Sequence, residues 1–86
     1  RFDGVTIDGF AGRQPQENGA AIVLRDGRRA TVRNSVAKPG TRVFVEAVNV
    51  ERAGLFALND VADAETAVSP ADHGFTVTGN LGDDSR

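Results

Sequence analysis

Eighty-six residues, 40% hydrophobic and 26% charged, fit one small domain and exclude both a second core and a wholly disordered chain. The absence of Cys excludes disulfides, thiolate catalysis and cysteine-ligated metals, and no apolar run approaches the roughly 18 residues of a membrane-spanning helix. The net charge of −2 is uneven: residues 1–60 carry nine basic and seven acidic side chains, while from Val61 onward Arg86 alone faces Asp63, Glu65, Asp72, Asp83 and Asp84. A cytoplasmic protein is expected, and the start at Arg1 with no Met reads as processing or as a piece of a longer protein.

In chain order the pattern is of short, alternating strands. Val5 to Asp8 places Val5 and Ile7 on one face, and Phe10 follows near the strand end. Gly12 to Gly19 is polar, with Pro15 and Asn18-Gly19, and reads as a surface loop. Ala20 to Arg25 suits a strand buried on both faces or one passing from one face of a barrel to the other. Asp26-Gly27 predicts a tight type I′ hairpin, with Arg28 to Arg33 as its second strand. Asn34 to Gly40 connects to a long run, Thr41 to Val50, where apolarity changes face and a bulge or strong coiling is expected. Arg52 to Gly54 turns the chain into a fifth strand, Leu55 to Val61. Beyond it the pattern fails: Ala62 to Ala67 is rich in Ala and acids, Ser69-Pro70 breaks it, Phe75 to Thr78 is one more β-prone run, and Gly79 to Arg86 reads as frayed. No internal repeat is evident. The expected fold is all-β: a small, five-stranded, OB-like closed or partly open barrel over residues 1–61, with an acidic, partly disordered C-terminal extension over residues 62–86.

The catalytic inventory is thin. His73 is the one His, and it lies in the acidic C-terminal part. Asp83-Asp84 supplies too few oxygens for a calcium site, and the glycines lack a phosphate-cradling context. The chain is therefore expected to be no enzyme and to need no cofactor or metal. What stands out is arginine. Arg25, Arg28, Arg29 and Arg33 are grouped by the expected hairpin, with Arg13, Lys38 and Arg42 in or beside the neighbouring loops. Guanidinium groups bridge phosphates and stack on bases, so these seven, with Phe10 as a stacking ring, form the candidate RNA-binding set. The competing reading makes them edge-strand charges that prevent aggregation. Phe44 and Phe56 are expected in the core.

The run from Val5 to Phe10, Gly19 to Val23, Asp26-Gly27-Arg28 through Val32, Lys38-Pro39-Gly40-Thr41-Arg42-Val43-Phe44-Val45 and Phe56-Ala57 resembles the TRAM domain, over about Val5 to Val61. That resemblance implies a small OB-like barrel that binds RNA, found fused to tRNA-modifying enzymes and as free-standing archaeal proteins. The implied partner is tRNA or ribosomal RNA, with a ribosome or RNA-modifying enzyme alongside and a monomer when free. Ile22 to Gly27 is also similar to the TOBE module of transporter ATPases, which implies a small oxyanion or regulatory ligand. A third expectation is a ribosome-associated protein–protein adaptor that uses the acidic tail.

Overall fold

A computed structural model describes residues 2–11 and 20–82. Its elements are β1 (Phe2–Asp3), β2 (Thr6–Asp8), β3 (Ala20–Arg33), β4 (Val43–Ala57), β5 (Thr66–Ser69) and β6 (Phe75–Thr78), with no helix among the described residues. Every pairing is parallel: β1 and β2 lie on β3, β3 on β4, and β5 and β6 on β4. The all-β expectation holds, but the OB-like barrel does not: the chain winds as a parallel β-solenoid of about three turns. No described helix is long and apolar enough to cross a membrane.

The Asp26-Gly27 hairpin is absent for an identifiable reason. Asp26 does take positive φ, at 58°, as such a turn requires, but Gly27 does not; the next left-handed residue is Arg29, at 59°, so the backbone bends at two separate residues and does not reverse. The dipeptide forms a corner inside β3 instead of a reversal. The segment expected as an acidic, partly disordered extension supplies β5 and β6, which pair with β4 in the same sheet.

The coils repeat, although the sequence hides it. Thr6, Thr31, Leu55 and Thr76 are in register, as are Ile7, Val32, Phe56 and Val77, so successive coils are 25, 24 and 21 residues long. After each of these strand segments comes a residue with positive φ: Gly9 (77°), Asn34 (51°), Leu58 (58°) and Gly79 (67°). A left-handed residue at one place in every coil bends the chain at that place, and Gly and Asn adopt this conformation at least cost. Leu58 carries the strain of a branched side chain there and points its apolar atoms outward, 63% exposed.

Inward positions stack from coil to coil. Ile22, Val45 and Val68 form one column and Leu24 and Ala47 another, while Val32 and Phe56 are fully buried between the half-buried Ile7 and Val77. Phe44 fills the centre, edge to face with Phe56 and tilted against Phe10 at centroid separations of 6.1 and 6.2 Å. Phe10, expected to stack on a base, is thus half-buried and packed against the core. The β3–β4 register shifts between Arg28 and Ala30, outside the Thr41–Val50 run, and Gly54 lies opposite Ala30. A Cβ on Gly54 would stand 2.2 Å from the Ala30 carbonyl oxygen, at a φ of +107°.

Two substitutions separate these effects. Phe56→Ala should lower unfolding free energy by about 3–5 kcal/mol through the cavity it opens. Gly54→Ala should cost at least about 2 kcal/mol through backbone collision with no cavity. Chemical denaturation reads both; a Gly54→Ala variant as stable as the parent would contradict the close approach of the two coils.

Candidate functional site

The position after each left-handed corner is occupied in turn by Phe10, Ser35, Asn59 and Asn80, and the last three join into a ladder through the interior. Ser35 and Asn59 are 1% exposed. Asn59 Oδ1 accepts the Ser35 backbone N–H at 3.0 Å, and its Nδ2 donates to the Val32 carbonyl at 3.0 Å. One coil later the pattern repeats: Asn80 Oδ1 accepts the Asn59 N–H at 2.9 Å, and its Nδ2 donates to the Phe56 carbonyl at 3.0 Å. Asn59 Nδ2 also donates to Asn80 Oδ1 at 3.0 Å. Ser35 Oγ accepts the Phe10 N–H and donates to the Arg33 carbonyl. At the corner the backbone leaves strand geometry, so its N–H and C=O groups lose their ladder partners; the amides reach across one coil to meet them. Thr41 is a third buried polar side chain, its hydroxyl donating to the Lys38 carbonyl at 2.6 Å.

Sequence reading missed Ser35, Asn59 and Asn80. The available signal was the likeness of Val5-Thr6-Ile7-Asp8-Gly9-Phe10 to Phe75-Thr76-Val77-Thr78-Gly79-Asn80, which are equivalent in the coils. A second likeness misleads: Asn34-Ser35-Val36-Ala37 and Asn59-Asp60-Val61-Ala62 match with Asn on Asn, whereas Val36 faces Asp60 and the residue meeting Asn59 is Ser35.

The arginine set is dispersed. Residues 20–42 make one full circuit, so Arg25, Arg28, Arg29, Arg33, Lys38 and Arg42 are distributed around a coil and are not gathered on a hairpin. Three of them clamp the first coil to the second. Arg28 Nη2 lies 3.3 Å from Asp3 Oδ2, Arg29 pairs with Asp3 Oδ1 through both Nη2 and Nε, and Arg33 Nε reaches Asp8 Oδ2 at 3.2 Å. Asn34 Nδ2 donates to the other Asp8 oxygen at 3.1 Å. Arg25 is exposed on β3 beside Val48, and Lys38 is exposed in the connection to β4. Arg42 is exposed as well, while its backbone carbonyl accepts the Thr66 N–H at 2.8 Å. Arg13 lies outside the described residues. With neither barrel rim nor grouped guanidinium face, the arrangement lends no support to an RNA-binding, tRNA or ribosomal role.

His73 is half-buried, accepts the Phe75 N–H at Nδ1 over 3.0 Å, and packs on the Phe75 ring at 5.8 Å between centroids. The geometry gives it a structural part in the turn before β6. A groove of about 420 Å³ is lined by Asp26, Gly27, Asn49, Val50 and Glu51. Two left-handed corners stack there, Asp26 and Asn49 (φ 55°), joined by a 3.1 Å hydrogen bond from Asn49 Nδ2 to Asp26 Oδ1. Its carboxylates are solvent-exposed, and no cluster of three or more His, Cys, Asp or Glu suited to a metal occurs among the described residues. Compared with family models, curated proteins and solved structures, the chain matches none.

The Asp3 carboxyl is held below its ordinary range, chiefly by hydrogen bonding from Arg29 and further by the charge of Arg28. Its lowered folded pKa makes the sign definite: the clamp contributes above the unfolded carboxylate pKa and is lost as pH falls through the lower folded value. Because Asp3 is exposed, the expected effect is local. Amide exchange at Arg28 to Thr31 should quicken relative to the Val45 region below about pH 4, and also in strong salt. Asp3→Asn should remove the pH dependence; if it persists unchanged, the clamp is not its cause.

Proposed function

We propose that this chain is a non-catalytic structural module of a β-solenoid, whose work is to hold stacked coils in fixed register as a rigid support. The observation that carries this reading is the ladder formed by the buried Ser35 and Asn59 and the half-buried Asn80. Its hydrogen bonds run between coils and satisfy backbone groups of the preceding one, so each coil completes the polar interior of its neighbour. The chemistry elsewhere agrees: His73 is engaged in a turn, and the groove at Asp26 and Asn49 offers two exposed carboxylates and an amide. In such an array each coil contacts its neighbours alone, and stability is the sum of coil and interface contributions.

The test is Asn59→Ala. It strands the buried Ser35 N–H and the Val32 carbonyl together, so a loss of about 2–4 kcal/mol is expected by denaturant titration. The exposed, outward Thr76→Ala should stay within about 0.5 kcal/mol of the parent. An Asn59→Ala variant that matches the Thr76→Ala control would overturn the reading.

A further inference from the structure

The last coil takes a short cut. Ser69 lies opposite Glu46 and Phe75 opposite Gly54, so residues 70–74 join two points that β4 connects by the longer path of residues 47–53. Along that path β3 pairs with β4, Gly27 opposite Val50 and Arg28 opposite Glu51, but among the described residues neither β5 nor β6 reaches it from the other side. A notch therefore interrupts the stack between β5 and β6. Val50 and Glu51 form a bare parallel edge there, bounded by the left-handed Asn49 and Arg52 (φ 55° and 47°). The groove of about 420 Å³ opens at the same place: Asn49, Val50 and Glu51 line it with Asp26 and Gly27, and no residue of the 70–74 connection does.

Three side-chain columns run into the notch, and each specifies what continues it. Inside, Phe2, Gly27 and Val50 call for an apolar residue. Outside, Asp3, Arg28 and Glu51 alternate in sign. Arg28 is engaged by Asp3, whereas Glu51 has no ion pair among the described residues, so a cation belongs over it. At the corner Asn49 donates back to Asp26, and a further Asn, which tolerates the left-handed conformation of that position, repeats the step by donating to Asn49. The backbone has its place too: the Gly4 N–H donates to the Arg28 carbonyl one coil later at 3.0 Å, and Arg52 holds Gly4's position two coils on. We infer that the notch docks an extended segment of a partner protein reading Asn, Val, Lys, laid parallel to Asn49–Glu51 as the next strand on β4. Its direction and register continue the interface already built between β3 and β4. A second copy does not supply it, because the matching triplets of this chain, Asp26-Gly27-Arg28 and Asn49-Val50-Glu51, are already inside β3 and β4.

This site goes beyond the support role and rests on the coil register, not on the Asn59 ladder, so the two tests fail separately. The whole chain, labelled with nitrogen-15, is titrated with a capped peptide of sequence Gly-Gly-Asn-Val-Lys-Gly-Gly. Amide shifts should saturate and centre on Val48 to Arg52, with slowed exchange at Val50 and Arg52. A peptide with Glu in place of its Lys should bind about fivefold more weakly. Glu51→Lys should reverse that preference, so that the Glu peptide becomes the tighter of the two. Glu51 is exposed, and unchanged signals from Phe44 and Phe56 verify that the variant keeps its fold. Three results overturn the proposal: no saturable shift up to about 5 mM peptide, shifts that fall along β1, β2 or β6 instead, or a charge preference that Glu51→Lys leaves as it was.

Discussion

The structure depends on one recurring backbone event, a left-handed residue at the same point of every coil. Once Gly9, Asn34, Leu58 and Gly79 bend the chain in register, the strand segments before them superpose and the polar groups after them are buried together. Burial without partners would be ruinous for so small a core. The Asn ladder is the answer to that cost, and it explains why the two asparagines sit one residue past a corner and not elsewhere. Geometry comes first here, hydrogen bonding follows from it, and the apolar columns of Ile22, Val45 and Val68 or Val32 and Phe56 fill the remaining space.

Charge plays a second, peripheral part. Arg28, Arg29 and Arg33 invite a functional reading as a cluster of cations, yet each faces a carboxylate one coil away. These exposed pairs act as a guide to register more than as a source of stability. Among the described residues the charges are unevenly placed: Asp63, Glu65 and Asp72 lie in the coil of β5 and β6, and Arg25, Arg28, Arg29 and Arg33 lie on β3.

Strand content was legible in the sequence because alternation of apolar and polar residues reports one buried face, and that much is true of Ile7, Val32 and Val77. Strand direction was not. Parallel sheets are commonly covered on both sides and read as continuous apolar runs, whereas a solenoid leaves its outer face in water and so copies the alternation of an antiparallel barrel. Asp26-Gly27 shows the same ambiguity in miniature: one positive φ serves a corner as well as a hairpin. The repeat escaped notice because its members share environment more than identity. Thr, Thr, Leu and Thr stand at one position, and Phe, Ser, Asn and Asn at the next but three. The ladder residues were invisible for that reason, and the arginines were conspicuous for a property the fold spends on pairing.

The unequal coil lengths of 25, 24 and 21 residues divide the chain into two kinds of sequence. Variation in length falls in the connections, among them residues 70–74, and at the bulge where the β3–β4 register shifts between Arg28 and Ala30, while the path from Thr6, Thr31, Leu55 and Thr76 through the following corner keeps a fixed count. Insertion in a connection lengthens a loop at little entropic cost. Insertion between Thr31 and Ser35, or between Leu55 and Asn59, would rotate every later side chain from inside to outside and carry the amide out of the ladder. The molecule therefore keeps its reading frame in the corners, and a lineage of such chains is free to change size anywhere except there.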